Sequence, residues 1–160
     1  MPRQSAGLLL YRETAGVLEV LLVHPGGPFW AKKDDRAWSI PKGEIDENED
    51  PRAAALREFT EETGCVPTGE TIALGSARQS SGKIVHIWAM RGDFDPATLI
   101  SNSFQCEWPP KSGRWQQFPE ADRAAWYSIS EARRKILKGQ AVFLVKLREA
   151  LGIETSRELF

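Results

Sequence analysis

The stretch Gly43–Val66, "GEIDENEDPRAAALREFTEETGCV", decides how this chain is read. Asp50 suits an N-cap, Pro51 suits the first helical position, and Gly64 stands where a left-handed residue closes a helix. The spacing therefore predicts a helix over 51–63. At ~3.6 residues per turn, Glu58, Glu61 and Glu62 fall at i, i+3 and i+4 and share a flank, with Ala55, Leu56 and Phe59 on the neighbouring one. The apolar flank can dock on a sheet and turn three carboxylates into a cleft beside it. Stability alone does not select that arrangement, because like charges at this spacing repel and the last helical turn disfavours anions. A hard divalent cation does select it: Mg2+ takes oxygen ligands and is commonly held by a few carboxylates together with substrate phosphates. The plain alternative is a solvated acidic face.

Outward from the helix, "SAGLLLY" (5–11) and "VLEVLLVHP" (17–25) are short, rich in Leu and Val and separated by a turn, and so read as neighbouring strands. The long Gly- and Pro-rich loop that follows is expected to hold one short strand at 38–40. His24 and the glycines of "HPGGP" are expected to serve its turn. "TIALGSARQ" (71–79) and "KIVHIWAMRG" (83–92) read as an antiparallel pair, the second buried on both faces. Residues 93–120 lack a sustained period and read as an irregular excursion over the sheet. "RAAWYSI" (123–129) is a last strand, Ser130 is expected to cap the helix that begins "EARRKIL", and 141–151 forms an amphipathic C-terminal helix.

The chain has 160 residues with 21 basic and 22 acidic side chains, which suits one domain over 1–160 and gives no sign of a general nucleic-acid or membrane-surface binder. Apolar runs are too short for a membrane span and the N-terminal one too short for a signal peptide, so a cytoplasmic protein is expected. Cys65 and Cys106 are isolated and read as buried or half-buried free thiols.

Gly43, five residues, Glu49, seven residues and then "REFTEETGC" resembles the Nudix box at every required position, with Cys65 filling the final apolar one. The resemblance implies an α/β fold, an α/β/α sandwich with a mixed β-sheet. It also implies Mg2+, or Mn2+, held by Glu58 and Glu62 with Glu61 close by and the Gly43 carbonyl contributing. Arg57 and Glu49 would pair to brace the loop against the helix. The family hydrolyses a nucleoside diphosphate linked to another group, and cations that neutralise the phosphates and activate water explain the clustered carboxylates. Glu61 and Glu120 are the two candidates for the general base, with Asp122 a weaker substitute. The interval from Glu120 to Trp126 resembles the diadenosine tetraphosphate hydrolases, and "PKG" at 41–43 resembles the dinucleoside polyphosphate and diphosphoinositol phosphate branches.

Lys42 is placed to meet a phosphate near the metal. Lys32, Lys33 and Arg36 add local positive charge, and Lys83 is a further candidate beside His86, which itself reads as a strand residue. Of six tryptophans, Trp30, Trp108 and Trp115 lie in irregular segments and could stack on a base, whereas Trp38, Trp88 and Trp126 read as core. The expected partner is a nucleotide or dinucleotide, with oligomeric state open. A dinucleoside polyphosphate leads over an oxidised nucleotide, ADP-ribose or a nucleotide sugar, a capped RNA end and an inositol pyrophosphate. The reading from another class is a non-catalytic nucleotide-sensing module, which has no need of three metal carboxylates.

Overall fold

The computed structural model describes residues 3–152, so positions 1–2 and 153–160 of the expected domain lie outside the described residues. Leu8, Leu9, Leu10 and Tyr11 are all buried. They belong to β1 (Gln4–Thr14), which runs parallel to β5 (Ile84–Arg91) on one side. On the other side the end of β1 pairs antiparallel with β2 (Val17–Pro25) and its start pairs antiparallel with β3 (Lys42–Glu44). A strand enclosed in this way needs apolar residues on both faces, which is why it reads as an unbroken run. With β4 (Thr71–Arg78) beyond β5 and β8 (Ala121–Ser128) beyond β2, the mixed sheet has the order β4-β5-β1-β2-β8.

Alternation along β1 divides the core between two layers. Leu8 and Leu10 join Leu21, Met90 and Phe94 against Phe59 of α1 (Pro51–Thr63), and Ala54 and Ala55 of the same helix pack on Ala6. Leu9 and Tyr11 face the opposite cluster, with Ile129 and Ala132 of α2 (Ile129–Lys135) and Phe143, Leu144 and Leu147 of α3 (Val142–Ala150). The result is the expected α/β/α sandwich. Helix α1 has the predicted bounds: Asp50 accepts from the Ala53 amide at 3.0 Å, and Gly64, at φ 80°, donates to the Thr60 carbonyl at 2.8 Å. No helix among the described residues is long and apolar enough to cross a membrane.

Several expectations need correction. The segment at 38–40 makes only isolated bridges, from Ser39 to Val23 and from Trp38 to Ile136; the chain then crosses to β1 and becomes strand at Lys42. His24 is no turn residue but lies inside β2, fully buried. Residues 93–120 are more ordered than their prolines suggested: after a 3-10 turn at Pro96–Thr98, β6 (Ser103–Glu107) and β7 (Trp115–Pro119) form a separate antiparallel hairpin. Ser128, two residues earlier than expected, caps α2 and accepts from the Glu131 amide at 3.3 Å. Strand β8 and helix α2 share that boundary, so the chain turns directly from one to the other.

Candidate active site

The polar flank of α1 faces a cleft of about 210 Å3 lined by Val23, Pro25, Ser39, Lys42, Glu62, Glu120 and Leu137. Several segments meet there, with Glu62 from α1 and Leu137 from the chain just after α2. The end of β2 supplies Val23 and Pro25, the segment entering β3 supplies Ser39 and Lys42, and the tight connection from β7 to β8 supplies Glu120.

Arg57 organises the entrance side of the helix. Its guanidinium donates to both carboxylate oxygens of Glu49, at 2.8 and 2.9 Å, to Glu58 at 3.0 Å, to Glu61 at 2.9 Å and to the Glu44 carbonyl at 3.0 Å. The fork therefore ties the loop before the helix to two of the three helical carboxylates. Hydrogen bonding to Arg57, with help from the Asp46 amide, pulls the Glu49 carboxyl down to about 2. Glu49 is a permanent anion at any working pH.

The inner carboxylates behave in the opposite way. Burial pushes Glu58 up to about 6, with repulsion from Glu61 adding to it and Arg57 opposing it. Glu62 is pushed up to about 8, first by desolvation, then by the charge of Glu58, with Lys42 opposing and Glu120 adding. Glu120 is also raised, by burial and then by Glu61. Burial and the nearby Lys83 lower the Lys42 ammonium, while Glu62 and Glu58 work to keep it charged. Four carboxylates and one lysine thus feel one another, from the buried Glu58 out to the exposed Glu120, the kind of environment in which functional groups gather.

Among the described residues no three acidic, imidazole or thiol side chains form a finished metal cage. The donor set nonetheless fits a hard divalent cation. Oxygen donors crowd together at a cost that a cation would remove, and a Cβ on Gly43 would overlap the Glu58 carboxylate, so the glycine keeps that cradle open.

The hairpin fixes Glu120 against the helix through the main chain. The Ile100 amide donates to the Thr63 carbonyl at 3.0 Å and the Asn102 amide to the Glu61 carbonyl at 2.9 Å, which satisfies carbonyls left open at the end of α1. The Glu120 amide then donates to the Asn102 carbonyl at 2.7 Å, and the Gly26 amide to the Glu120 carbonyl at 2.9 Å. Asn102 is the residue that sequence reasoning missed, since a backbone role leaves no signature in residue type. Gln140 was also missed: fully buried, it accepts from the Ile40 amide at 2.8 Å and donates to the Ser39 hydroxyl at 3.0 Å, fixing the segment that delivers Lys42.

The other candidates are dispersed. Lys33 does not line the cleft; its ammonium lies over Trp30 at 5.1 Å and its carbonyl pairs with His24 Nε2 at 2.7 Å. His24 Nδ1 pairs with Asp122 at 2.9 Å, so the histidine joins the loop to β8. Lys83 is half-buried and close enough to Lys42 to be felt electrostatically. His86 sits in β5 against Gln4 at 2.7 Å. Trp38 is core, and Trp88 and Trp126 pack half-buried on the α1 side. Both cysteines are free.

Comparison with known proteins agrees with the box and the sandwich. The family model of the NUDIX domain matches residues 1–147. The bis(5'-nucleosyl)-tetraphosphatase [asymmetrical] of Caenorhabditis elegans is 38% identical over 131 residues, 78% of this chain and 86% of that one. The RNA pyrophosphohydrolase of Roseobacter denitrificans is 41% identical over 70 residues, and the chain spans only 42% of that relative's length. Among solved structures, the Caenorhabditis elegans Ap4A hydrolase binary complex has a TM-score of 0.60 at 25% identity, covering 94% of this chain and 98% of that one. The NUDIX domain of Shewanella oneidensis NrtR, complexed with ADP ribose, has a TM-score of 0.64 at 19% identity over 94% and 89%, a likeness of fold. With a complete box on a capped helix, a sandwich of the same kind and a family match over nearly its whole length, the chain belongs to the Nudix family.

Proposed function

We propose that this protein is a Mg2+-dependent hydrolase that cleaves a phosphoanhydride bond in a nucleoside polyphosphate, with a dinucleoside polyphosphate such as diadenosine tetraphosphate as its leading substrate. The observation that carries the reading is a cleft lined by Lys42, Glu62 and Glu120, with Glu58 and Glu61 close enough to raise the proton affinity of those carboxylates. The matched tetraphosphatase, aligned over most of both chains, supports the substrate class. Glu58 and Glu62, with Glu61 and the Gly43 carbonyl beside them, would hold the ion. When bound, a divalent cation neutralises phosphate oxygens and lowers the pKa of the attacking water.

The chain's own residues account for the rest. Lys42 meets the polyphosphate with an ammonium whose desolvation strengthens its pull on an anion. Glu120 is the favoured proton acceptor, because it lines the cleft and partial desolvation together with Glu61 raises its proton affinity above that of an ordinary carboxylate. Arg57 and Glu49 act as positioning residues that hold the helix and its loop in one register. Several matched relatives are named RNA pyrophosphohydrolases, which makes an RNA end carrying a pyrophosphate bond the second substrate reading.

The test is chromatographic. Diadenosine tetraphosphate is incubated with Mg2+ and either the wild type or Glu62→Gln, and the products are identified. ATP plus AMP from the wild type alone is the expected outcome. Intact dinucleotide, with pyrophosphate released from triphosphorylated RNA, would replace the first substrate with the second.

A further inference from the structure

Two arms leave the cleft side by side. One is the loop that follows Pro25, and the other is the hairpin that ends at Glu120. They stay in contact along their length: the Gly26 amide bonds the Glu120 carbonyl, Gly26 lies against the Pro119 carbonyl, and a Cβ on Gly27 would stand 2.9 Å from the Phe104 ring. Farthest out, the Phe29 and Trp108 rings meet edge to face, 5.3 Å apart at 76°. Phe29 lies four residues beyond Pro25, so this aromatic corner stands within about 14 Å of the cleft wall. Edge-to-face contact covers the face of only one ring, and Phe29 remains 61% exposed.

The charge around the corner is positive. Lys111 and Arg114 lie in the hairpin tip, and Lys32 and Lys33 follow Phe29 in the loop. The acid at the tip, Glu107, is engaged by the Lys111 and Gly113 amides at 3.2 and 2.9 Å. An exposed ring packed on a half-buried one, with cations nearby in both arms and the arms rooted in the cleft read as the phosphate site, matches a planar base joined to an anionic chain.

We propose that Phe29 and Trp108 form a stacking site for a nucleobase whose polyphosphate lies at Lys42. The inference rests on the reading of the cleft as a polyphosphate site, and it goes beyond it in assigning the hairpin to base recognition.

The test measures equilibrium binding by titration calorimetry with Mg2+ present, in a Glu62→Gln background that suppresses turnover. Diadenosine tetraphosphate and inorganic tripolyphosphate serve as probes. Trp108→Ala and Phe29→Ala are each expected to weaken the dinucleotide about tenfold, within the range of base–aromatic stacking, and to leave tripolyphosphate unchanged. Trp108→Phe should recover most of the loss. Trp115→Ala, on the opposite hairpin face, should lose nothing.

Equal weakening of both probes would make Trp108 a mere brace of the hairpin and overturn the proposal. So would a dinucleotide that binds no tighter than tripolyphosphate, or a Trp108→Ala variant that turns a dimer into a monomer. Base-dependent binding by a wild type that leaves the dinucleotide intact would uphold the stacking site while sinking the substrate reading, so the two failures are distinct.

Discussion

Glu62 carries the largest consequence at the scale of the residue. Its carboxyl titrates near 8 in the folded protein against 4.5 in its ordinary state, and Glu58 near 6. Between those ordinary and folded values the native state holds more protons than the unfolded one, so stability falls as pH rises through that window. Glu49 acts with the opposite sign: held near 2, it contributes stability above its ordinary value that is lost as pH falls toward 2. Metal-free protein should therefore melt highest under mildly acidic conditions and progressively lower toward pH ~8. Glu62→Gln should flatten the alkaline side of that curve, and Mg2+ should raise the melting temperature of the wild type more than that of the variant. Thermal melts with chelator and with Mg2+ across pH check both signs. Lys42→Met removes a charge-assisted contact worth about 1.5–3 kcal/mol, so kcat/KM should fall roughly 10- to 150-fold. Steady-state kinetics on the dinucleotide gives the answer, and an unchanged value would remove Lys42 from the site.

At the scale of the element, α1 is the part the sequence announces most fully. Its cap, its first proline and its closing glycine are local devices, legible without any partner. Asp50→Ala should cost about 1 kcal/mol of stability, read by urea unfolding, because the Ala53 amide loses its acceptor. The hairpin at 103–119 was illegible for the converse reason. Its half-buried apolar positions, Phe104, Cys106, Trp108 and Phe118, are few and interrupted by polar residues, and its pairing depends on contacts with the distant loop at 26–29. The Ser128 cap was missed because Ser130 offers the same chemistry two residues later, and only the end of β8 decides between them. Gln140→Leu tests another tertiary device. Leaving the Ile40 amide buried without an acceptor should cost about 1–3 kcal/mol and also raise KM, since the Lys42 segment loses its anchor. A stability loss with unchanged KM would confine Gln140 to packing.

At the scale of the molecule, the sandwich follows from alternation on strands covered from both sides. Leu8 and Leu10 belong to one layer and Leu9 and Tyr11 to the other, a division that a continuous apolar run conceals until the neighbours are known. The box helix could be placed from spacing, but the depth of the cleft could not. It depends on Glu120 arriving from a segment read as irregular, and on Ser39 and Leu137, whose residue types advertise nothing.

The main-chain link through Asn102 also makes that depth a matter of timing. The last turn of α1 cannot fray by itself, because the Ile100 and Asn102 amides occupy carbonyls that water would otherwise solvate. The Asn102 amide hydrogen should consequently exchange only when helix and hairpin part, making it a clock for opening of the whole carboxylate cluster. Hydrogen–deuterium exchange read at that amide should slow when polyphosphate and Mg2+ are added. An amide that exchanges as fast as those at the hairpin tip would mean that the two segments move independently.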